Sequence, residues 1–416
     1  MDGFFSKKQT ESADRPEGRT LSCASCGLYK DLLHPRMTPS GGFQKRILNI
    51  GEAPGEIEDE RGRYWQSNTG RLLQKTYRRL GIDLFKDCLN INAVNCRPLN
   101  DEGNNRPPEK YEIACCRNRV LKAINRYQPH LIILLGGSAI TSLMQYRWRK
   151  NLGGIGKWRG WIIPDRDFNA WIAPVYHPSY VARSEREVET KWVYDLEEAF
   201  AHIDKPLPKV KEERDQIEII RDLSVLDEVQ EGVAAFDYET TSLKPHAEEN
   251  KIVCASVAVS SKKCYSFMIP KSRKRLAPFL RFLANPNIKK VAHNIKFEDT
   301  WSIVKFDQQV MNWYWDTMLA SHILDNRPDI TGLKFQTYVN FGVPEYDYEI
   351  EPFLKSTGDK GGNNSNRLLE LVSTSSGKKK ALIYCGLDSI FTRKLVMLQI
   401  KQIRKGTRNE PEDIRI

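Results

Sequence analysis

Four thiols and two sets of carboxylates are the side chains here whose types and spacing could do chemistry. Cys23-Ala-Ser-Cys26 forms a CxxC pair. Alone, such a pair suits zinc, redox chemistry or no function at all. Cys96 follows a strand-like run in NCRP, and Cys116 lies on a helix-like run in EIACCRNRVL. Two clustered and two distant thiolates can close around one metal centre. Zinc and an iron–sulfur cubane both accept four cysteines, so spacing leaves both open. In the second half, Asp237 and Glu239 of FDYETT alternate along a strand and share a face. Carboxylates side by side repel unless a cation bridges them, so the pair reads as a metal site. Tyr384 and Asp388 of YCGLD stand one helical turn apart on one helix face.

The elements that must position these groups alternate in type. RILNIGEAP, CLNINAVNC, HLIILLGGSAI and NAWIAPVYHPS read as apolar strands. GRLLQKTYRRLGI and EKYEIACCRNRVLKAINRY read as helices between them. Strands separated by helices of this length predict an α/β domain with a largely parallel sheet. Functional groups of such sheets sit in loops after the strand C-termini, here GEAPG, NCRP and HPSY. A second α/β cycle with a mixed sheet follows: IEIIRDLSVLDEVQEGV (strand, helix), AAFDYETTSL and IVCASVAVS (strands), and KSRKRLAPFLRFLANP (helix). KKVAHNIKFEDTW and ALIYCGLDSIFTRKLVMLQI supply later helices. The expected organisation is a flexible N-terminus over 1–19, a first domain over 20–203 and a Pro- and charge-rich linker over 204–216. A second domain spans 217–405, with a flexible basic loop over Lys355–Lys380, and a loose tail spans 406–416.

A chain of 416 residues with 40% hydrophobic and 28% charged residues is globular and too long for one ordinary core. Its net charge of +11 suits a polyanionic partner. No apolar run approaches the ~20 residues of a membrane span, and the N-terminus lacks a signal-peptide core. The expected location is therefore cytoplasmic (host cytoplasm if viral), with no membrane contact. In that compartment the nine cysteines serve as ligands or buried apolar residues, not as a disulfide framework.

The order GEAPGEIEDERG, NAVNCRP, NRPPEKYEIACC, LGGSA and HPSY resembles the family 4 type of uracil-DNA glycosylase, over roughly residues 20–200. That resemblance implies a three-layer α/β/α fold and a [4Fe–4S] cluster on Cys23, Cys26, Cys96 and Cys116. It also implies a base pocket. Asn92 reads the uracil edge, and His177 donates to uracil O2 as charge develops there. Gly51 and Ala53 bring backbone close to the base. Glu52 steadies the sugar cation or orients water, and Trp65 stands where the family has a stacking Phe. The sequence departs where the family usually shows Pro-Phe-Val-Gly: here it reads Tyr64-Trp65-Gln66-Ser67. Excision of a different base, or no catalysis, stays open on that ground.

DxETT, HNxKF and YxxxD in this order resemble the Tyr-containing DEDD 3′–5′ exonucleases attached to family A DNA polymerases, over roughly 217–405. WDTMLASHIL and GLKFQTYV resemble bacteriophage versions. The resemblance implies a ribonuclease-H-like sheet. It also implies two divalent ions (Mg2+ or Mn2+) on Asp237, Glu239 and Asp388, with Tyr384 orienting the attacking water. Asn294 and Phe297 shape the strand end. The family's second-motif Asp falls on Glu298, with Asp299 next, and both stay candidates as metal ligands. Asp316 is expected to cap the helix that begins at TMLASHIL. No polymerase-like segment follows, so the exonuclease is expected to act alone or with a polymerase on a separate chain. Its expected partner is DNA: single-stranded or frayed 3′ ends, and uracil-containing DNA.

Overall fold

The computed structural model describes residues 21–208, 212–355 and 366–404. The expected flexible N-terminus, the tail, residues 209–211 of the linker and residues 356–365 of the expected basic loop lie outside these. The described residues form two compact units. One holds 21–208 with 338–344, and the other holds 212–337, 345–355 and 366–404.

The first unit is built on β1 (Ile47–Gly51), α1 (Glu56–Arg61), α2 (Asn68–Arg79), β2 (Cys88–Asn92), α3 (Lys110–Tyr127) and β3 (Leu131–Leu135). It continues with α4 (Gly137–Arg147), α5 (Ile155–Trp158), β4 (Ile163–Asp165), β5 (Ala170–Val175), α6 (Pro178–Val181) and α7 (Arg186–Phe200). The sheet order is β2-β1-β3-β5-β4, parallel except for β4 against β5. Every residue of β1, β2, β3 and β5 is buried. Near-continuous apolar strands of this kind form a parallel sheet covered on both faces. Asparagines break the pattern: Asn49 in β1, and Asn90 and Asn92 in β2. Asn49 donates to Asn90 Oδ1 (3.0 Å) and accepts from Tyr77 Oη (2.8 Å) inside the core. The strand ends deliver Gly51, Asn92 and His177 to one rim, the place where open α/β sheets bind ligands.

The second unit begins with a 3-10 turn, Glu213–Gln216, in the stretch expected to be linker; its buried Glu213 pairs with Lys394 (2.7 Å). Then come β6 (Ile217–Ile219), β7 (Gly232–Thr240), β8 (Ile252–Ser260), β9 (Lys263–Met268), α8 (Arg273–Ala284), β10 (Ile288–Ala292) and α9 (Ile295–Phe306). They are followed by β11 (Trp313–Asp316), α10 (Thr317–Leu324), α11 (Leu333–Phe341), α12 (Glu351–Leu354), α13 (Leu368–Leu371) and α14 (Ser375–Arg404). The mixed sheet runs β11-β10-β7-β8-β9-β6. Alternation along β7 splits the core. Phe236 and Tyr238 pack with Phe279, Phe282 and Trp301 on one face, while Ala235 packs with Ile390 and Val396 of α14 on the other. Asp237 and Glu239 therefore face α14.

Three expectations change. The Lys355–Lys380 stretch expected to be a loop is helical over Leu368–Leu371 and again from Ser375, where STSSGKKK opens α14. LSVLDE is a 3-10 turn over Leu223–Glu228, not an α-helix. KKVA is the end of β10, and its helix starts only at Ile295. The β-branched and apolar residues of IKKVA pair with β7 and β11, and that pairing overrides any helical reading. The short strands β4, β6, β9 and β11 complete the sheets. Among the described residues, no helix is long and apolar enough to cross a membrane.

Candidate functional site

In the first unit, Glu52, Ala53, Trp65, Asn92 and His177 line one cavity of about 490 Å3, together with Asn105, Arg106, Ser179 and Arg183. Its backbone is held from beneath by Glu58, which is 7% exposed. One carboxylate oxygen accepts the N–H groups of Gln66 and Ser67 (both 2.9 Å), and the other accepts Gly55 N–H (3.2 Å). Trp65 sits at φ +60°, and its indole N–H donates to Asn90 Oδ1 at 3.0 Å. The buried Asn49–Asn90 pair thus anchors the ring expected to stack on a base. Gly51 must lack a side chain, because a Cβ there would lie 2.3 Å from Asn92 Oδ1 and 2.9 Å from the Trp65 ring.

Of the residues that depart from the family, Tyr64, Trp65 and Ser67 line the cavity and Gln66 does not. Tyr64, 2% exposed, donates its hydroxyl to Asn95 Oδ1 (3.0 Å), and Gln66 donates its amide to the Tyr64 carbonyl (2.9 Å). The space remains open, and its size suits a small ligand.

His177 caps α6. Its Nδ1 accepts the backbone N–H of Ser179 at 3.2 Å, with Ser179 Oγ 2.7 Å away. A nitrogen that accepts carries no proton, so the neutral ring holds its proton on Nε2. Burial drives the His177 pKa below its ordinary value, Glu52 opposes the shift, and Arg183 reinforces it. Glu52 is oriented by Ser138 Oγ, which donates at 2.8 Å. Ser138, Asn90, Asn95 and Glu58 escape sequence reasoning because each acts on a neighbour's orientation. Only LGGSA and the polar breaks in the apolar strands hinted at them.

Cys96 and Cys116 are buried, whereas Cys23 and Cys26 are half-buried. Burial pushes the Cys96 thiol up to about 11, with the charges of Cys116, Cys26 and Cys23 adding to the shift. The other three thiols thus lie near enough to Cys96 for their charges to act on it. Arg36 N–H donates to Cys96 Sγ (3.2 Å), and Asn95 Nδ2 donates to Cys116 Sγ (3.5 Å). Among the described residues, no three of these thiols come within 4.8 Å of one another. Cys115, adjacent in the helix, is also buried and near Cys26 and Cys116. The extra loop before NRPP is fastened by Arg106, which forks onto Glu112 of α3 at 2.9 and 2.5 Å.

In the second unit, Asp237, Glu239 and Cys385 present ligand atoms within 4.8 Å of one another. Burial raises Asp237 and Glu239 well above the carboxylate range. Asp388 raises Asp237 further, Asp237 raises Glu239, and the ammonium of Lys334 opposes both shifts. Glu298 is 2% exposed and is raised by burial and then by Asp237; its Oε2 has no hydrogen-bond partner. Asp299 instead accepts the Trp313 indole N–H at 3.0 Å. Of the two candidates, Glu298 is the one turned to the acidic cluster. Asp316 caps α10 as expected, accepting from Met318 and Leu319, and it also binds Asn294 N–H and Ile295 N–H at the start of α9. Asn294 takes a left-handed turn at φ +80°, and Phe297 packs at the edge of the aromatic core.

Tyr384 is buried, and its phenol is raised by burial and then by Asp388. Sequence reasoning missed Lys334 and Tyr346. Lys334 Nζ hydrogen-bonds Asp388 Oδ1 and Tyr346 Oη, and it lies 4.3 and 4.4 Å from the ring centres of Tyr346 and Tyr384. Tyr346 donates to Asp388 Oδ1 at 2.5 Å. The only signal for Lys334 was its place in GLKFQTYV.

A sequence model of the uracil DNA glycosylase superfamily matches residues 38–202, and one of 3′–5′ exonucleases matches residues 210–398. A type-4 uracil-DNA glycosylase of Saccharolobus solfataricus is 35% identical over 163 residues, 38% of this chain and 71% of that protein. Its counterpart from Thermotoga maritima is 31% identical over 192 residues, 45% of this chain and 92% of that protein. A DNA polymerase of Bacillus phage SP01 is 24% identical over 331 residues, 70% of this chain and 34% of that polymerase. That alignment is longer than either matched domain, so it runs across the join. NrnC of Brucella melitensis aligns in space at a TM-score of 0.33 and 17% identity, over 46% of this chain and 82% of that one.

Proposed function

Because this chain belongs to the uracil-DNA glycosylase superfamily through its first half and carries a 3′–5′ exonuclease domain in its second, we propose that it excises uracil from DNA at one site and trims DNA 3′ ends at the other. The observation that carries the first half is the Ser179 backbone N–H aimed at His177 Nδ1, which leaves Nε2 as the donor nitrogen. A neutral imidazole with its proton on Nε2 is a preorganised donor for negative charge growing on a departing base. Such donors act most strongly where water is excluded. A base must leave the stack to reach the cavity. There Trp65 offers a stacking face and the Asn92 amide offers a donor and an acceptor to the Watson–Crick edge. Glu52, oriented by Ser138, lies where a carboxylate can favour a sugar cation or orient water.

Four cysteines, with N–H donors aimed at Cys96 Sγ and Cys116 Sγ, fit a metal centre, and the similarity to type-4 uracil-DNA glycosylases favours a [4Fe–4S] cluster over zinc. Held by Cys23, Cys26, Cys96 and Cys116, it would tie the N-terminal segment, the Asn92 strand end and α3 together.

For the second site, Asp237, Glu239, Glu298 and Asp388 are the residues that would hold two divalent ions. Those ions would supply a water nucleophile and neutralise charge at the terminal phosphate. The buried, protonated Tyr384 hydroxyl orients water by hydrogen bonding. Lys334 adds a cation beside the same phosphate. The similarity to a phage polymerase across the join supports a role beside a polymerase, with DNA as the shared substrate.

The test uses a 5′-labelled oligonucleotide with one internal uracil, EDTA to silence the exonuclease, and alkali to cleave abasic sites. A discrete break at the uracil is expected. An intact strand, with 3′ laddering once Mg2+ is restored, would overturn the glycosylase reading in favour of an exonuclease carrying a DNA-binding domain.

A further inference from the structure

Asn95 lies between the base cavity and the thiols, fully buried, one residue before Cys96. Its side-chain amide makes four hydrogen bonds. Oδ1 accepts Asn92 N–H (3.1 Å) and Tyr64 Oη–H (3.0 Å). Nδ2 donates to the Asn92 carbonyl (2.9 Å) and to Cys116 Sγ (3.5 Å). The two ends of an amide are distinguished only by their partners. Here the Asn92 backbone decides. Its N–H can only donate and its carbonyl can only accept, so Oδ1 faces the first and Nδ2 the second. The remaining Nδ2 proton is thereby aimed at Cys116. Tyr64 lies in the field of both Cys116 and Cys96, and Ala53 of the cavity loop packs on the small cluster formed by Val94, Ile113 and Cys116.

We propose that Asn95 is a positioning residue that joins the base-reading strand end to the metal centre. It grips the backbone of Asn92 with one proton and one lone pair, and it spends its other proton on a cluster thiolate. The state of the cluster is thus felt at Asn92, and occupancy of the base cavity is felt at the sulfur. Such coupling is reciprocal in free energy. Hydrogen bonds to cluster sulfurs are also among the factors that set a reduction potential. The inference rests on the proposed cluster and base pocket.

The experiment measures the cluster reduction potential and single-turnover excision in the full-length holoprotein, wild type and Asn95→Ala. In the variant the potential should fall, because the more negative reduced cluster loses a donor. Excision should slow about 10- to 100-fold, the usual loss when such a supporting partner is removed, with less change in the half-saturating enzyme concentration than in the maximal single-turnover rate. An unchanged potential overturns the inference, as does unchanged excision. If Asn95→Ala yields no soluble holoprotein, the wild type decides. With a duplex containing an abasic site already bound, free uracil at a concentration that inhibits excision should shift the potential, and thymine should not. No shift overturns the coupling. A colourless wild-type protein, or one that leaves uracil in place, would instead mean that the proposed function itself has failed.

Discussion

Replacing Lys334 by methionine should reveal what holds the acidic cluster together before metal arrives. Only 13% of the Lys334 side chain and 10% of Asp388 are exposed, so their pair is largely shielded from water. Methionine keeps the apolar stem but leaves Asp388, Asp237, Glu239 and Glu298 without the cation beside them. Breaking a buried pair by removing one partner costs about 3–5 kcal/mol. A domain of this size shifts its melting point by about 2–4 °C per kcal/mol, so the EDTA-treated variant should melt about 6–20 °C below wild type. Divalent ions on the same carboxylates replace the missing charge, so saturating Mg2+ should restore most of the difference. A closed cycle then requires tighter metal binding by the variant; recovering about 3 kcal/mol corresponds to roughly 100-fold. Calorimetric melting of both proteins in EDTA and in Mg2+, at slightly alkaline pH, gives the first quantity. Titration with Mn2+ followed by electron paramagnetic resonance gives the second. Equal melting deficits in EDTA and in Mg2+ would refute the reasoning, because the lysine would then not be the counter-ion that metal displaces. Exonuclease turnover should still fall, since the displaced ammonium is proposed to add a cation beside the substrate phosphate.

Asp237→Ala should abolish Mg2+-dependent 3′ degradation of a labelled strand; degradation at the wild-type rate would mean the carboxylate pair is not the metal site. Glu298→Gln should slow the exonuclease at least about 100-fold, as loss of a group acting on transition-state charge does. Asp299→Asn should leave the rate nearly unchanged and cost about 1 kcal/mol of stability through the Trp313 bond, read by denaturant unfolding; the reverse ranking would exchange their roles. Burial lowers the His177 pKa, so the ring stays neutral as pH falls through its ordinary value of 6.5. Excision in EDTA should therefore hold its rate across that value and decline only below it; a loss centred at or above 6.5 would contradict the neutral tautomer. Asn90→Ala removes the acceptor of the Trp65 indole and leaves a buried N–H unpaired, at a cost of about 1–3 kcal/mol. Uracil binding, followed by the quenching of tryptophan fluorescence, should weaken in parallel.

The sequence made the sheets legible where apolar runs are long. LIILL can be little other than a buried strand, and FDYETT aligned two carboxylates by alternation alone. IKKVA was misread because two lysines interrupt the apolar pattern; one of them, Lys290, is fully buried and reaches the Asn285 carbonyl. The site residues recognised in advance are those proposed to touch substrate or metal, because that chemistry restricts residue type. Asn95, Glu58 and Ser138 act through backbone N–H groups or neighbouring carboxylates. Their partners are set by tertiary placement, which spacing along the chain does not encode. Lys334 lies 54 residues from Asp388 in sequence, so only the folded chain brings its charge to the cluster. The choice between Glu298 and Asp299 turned on helix phase: one full residue of rotation sends the first to the carboxylates and the second to Trp313.

Glu58 binds the backbone of Gly55, Gln66 and Ser67 and asks nothing of the last two side chains. A mould cast from peptide groups keeps its shape while the letters written on it change. The side chains of Gln66 and Ser67 are thereby free to diverge, while Tyr64 supports Asn95. Relatives that are poor matches in this segment can therefore retain the same pocket, and their kinship is better sought in the acid that holds the loop than in the loop itself.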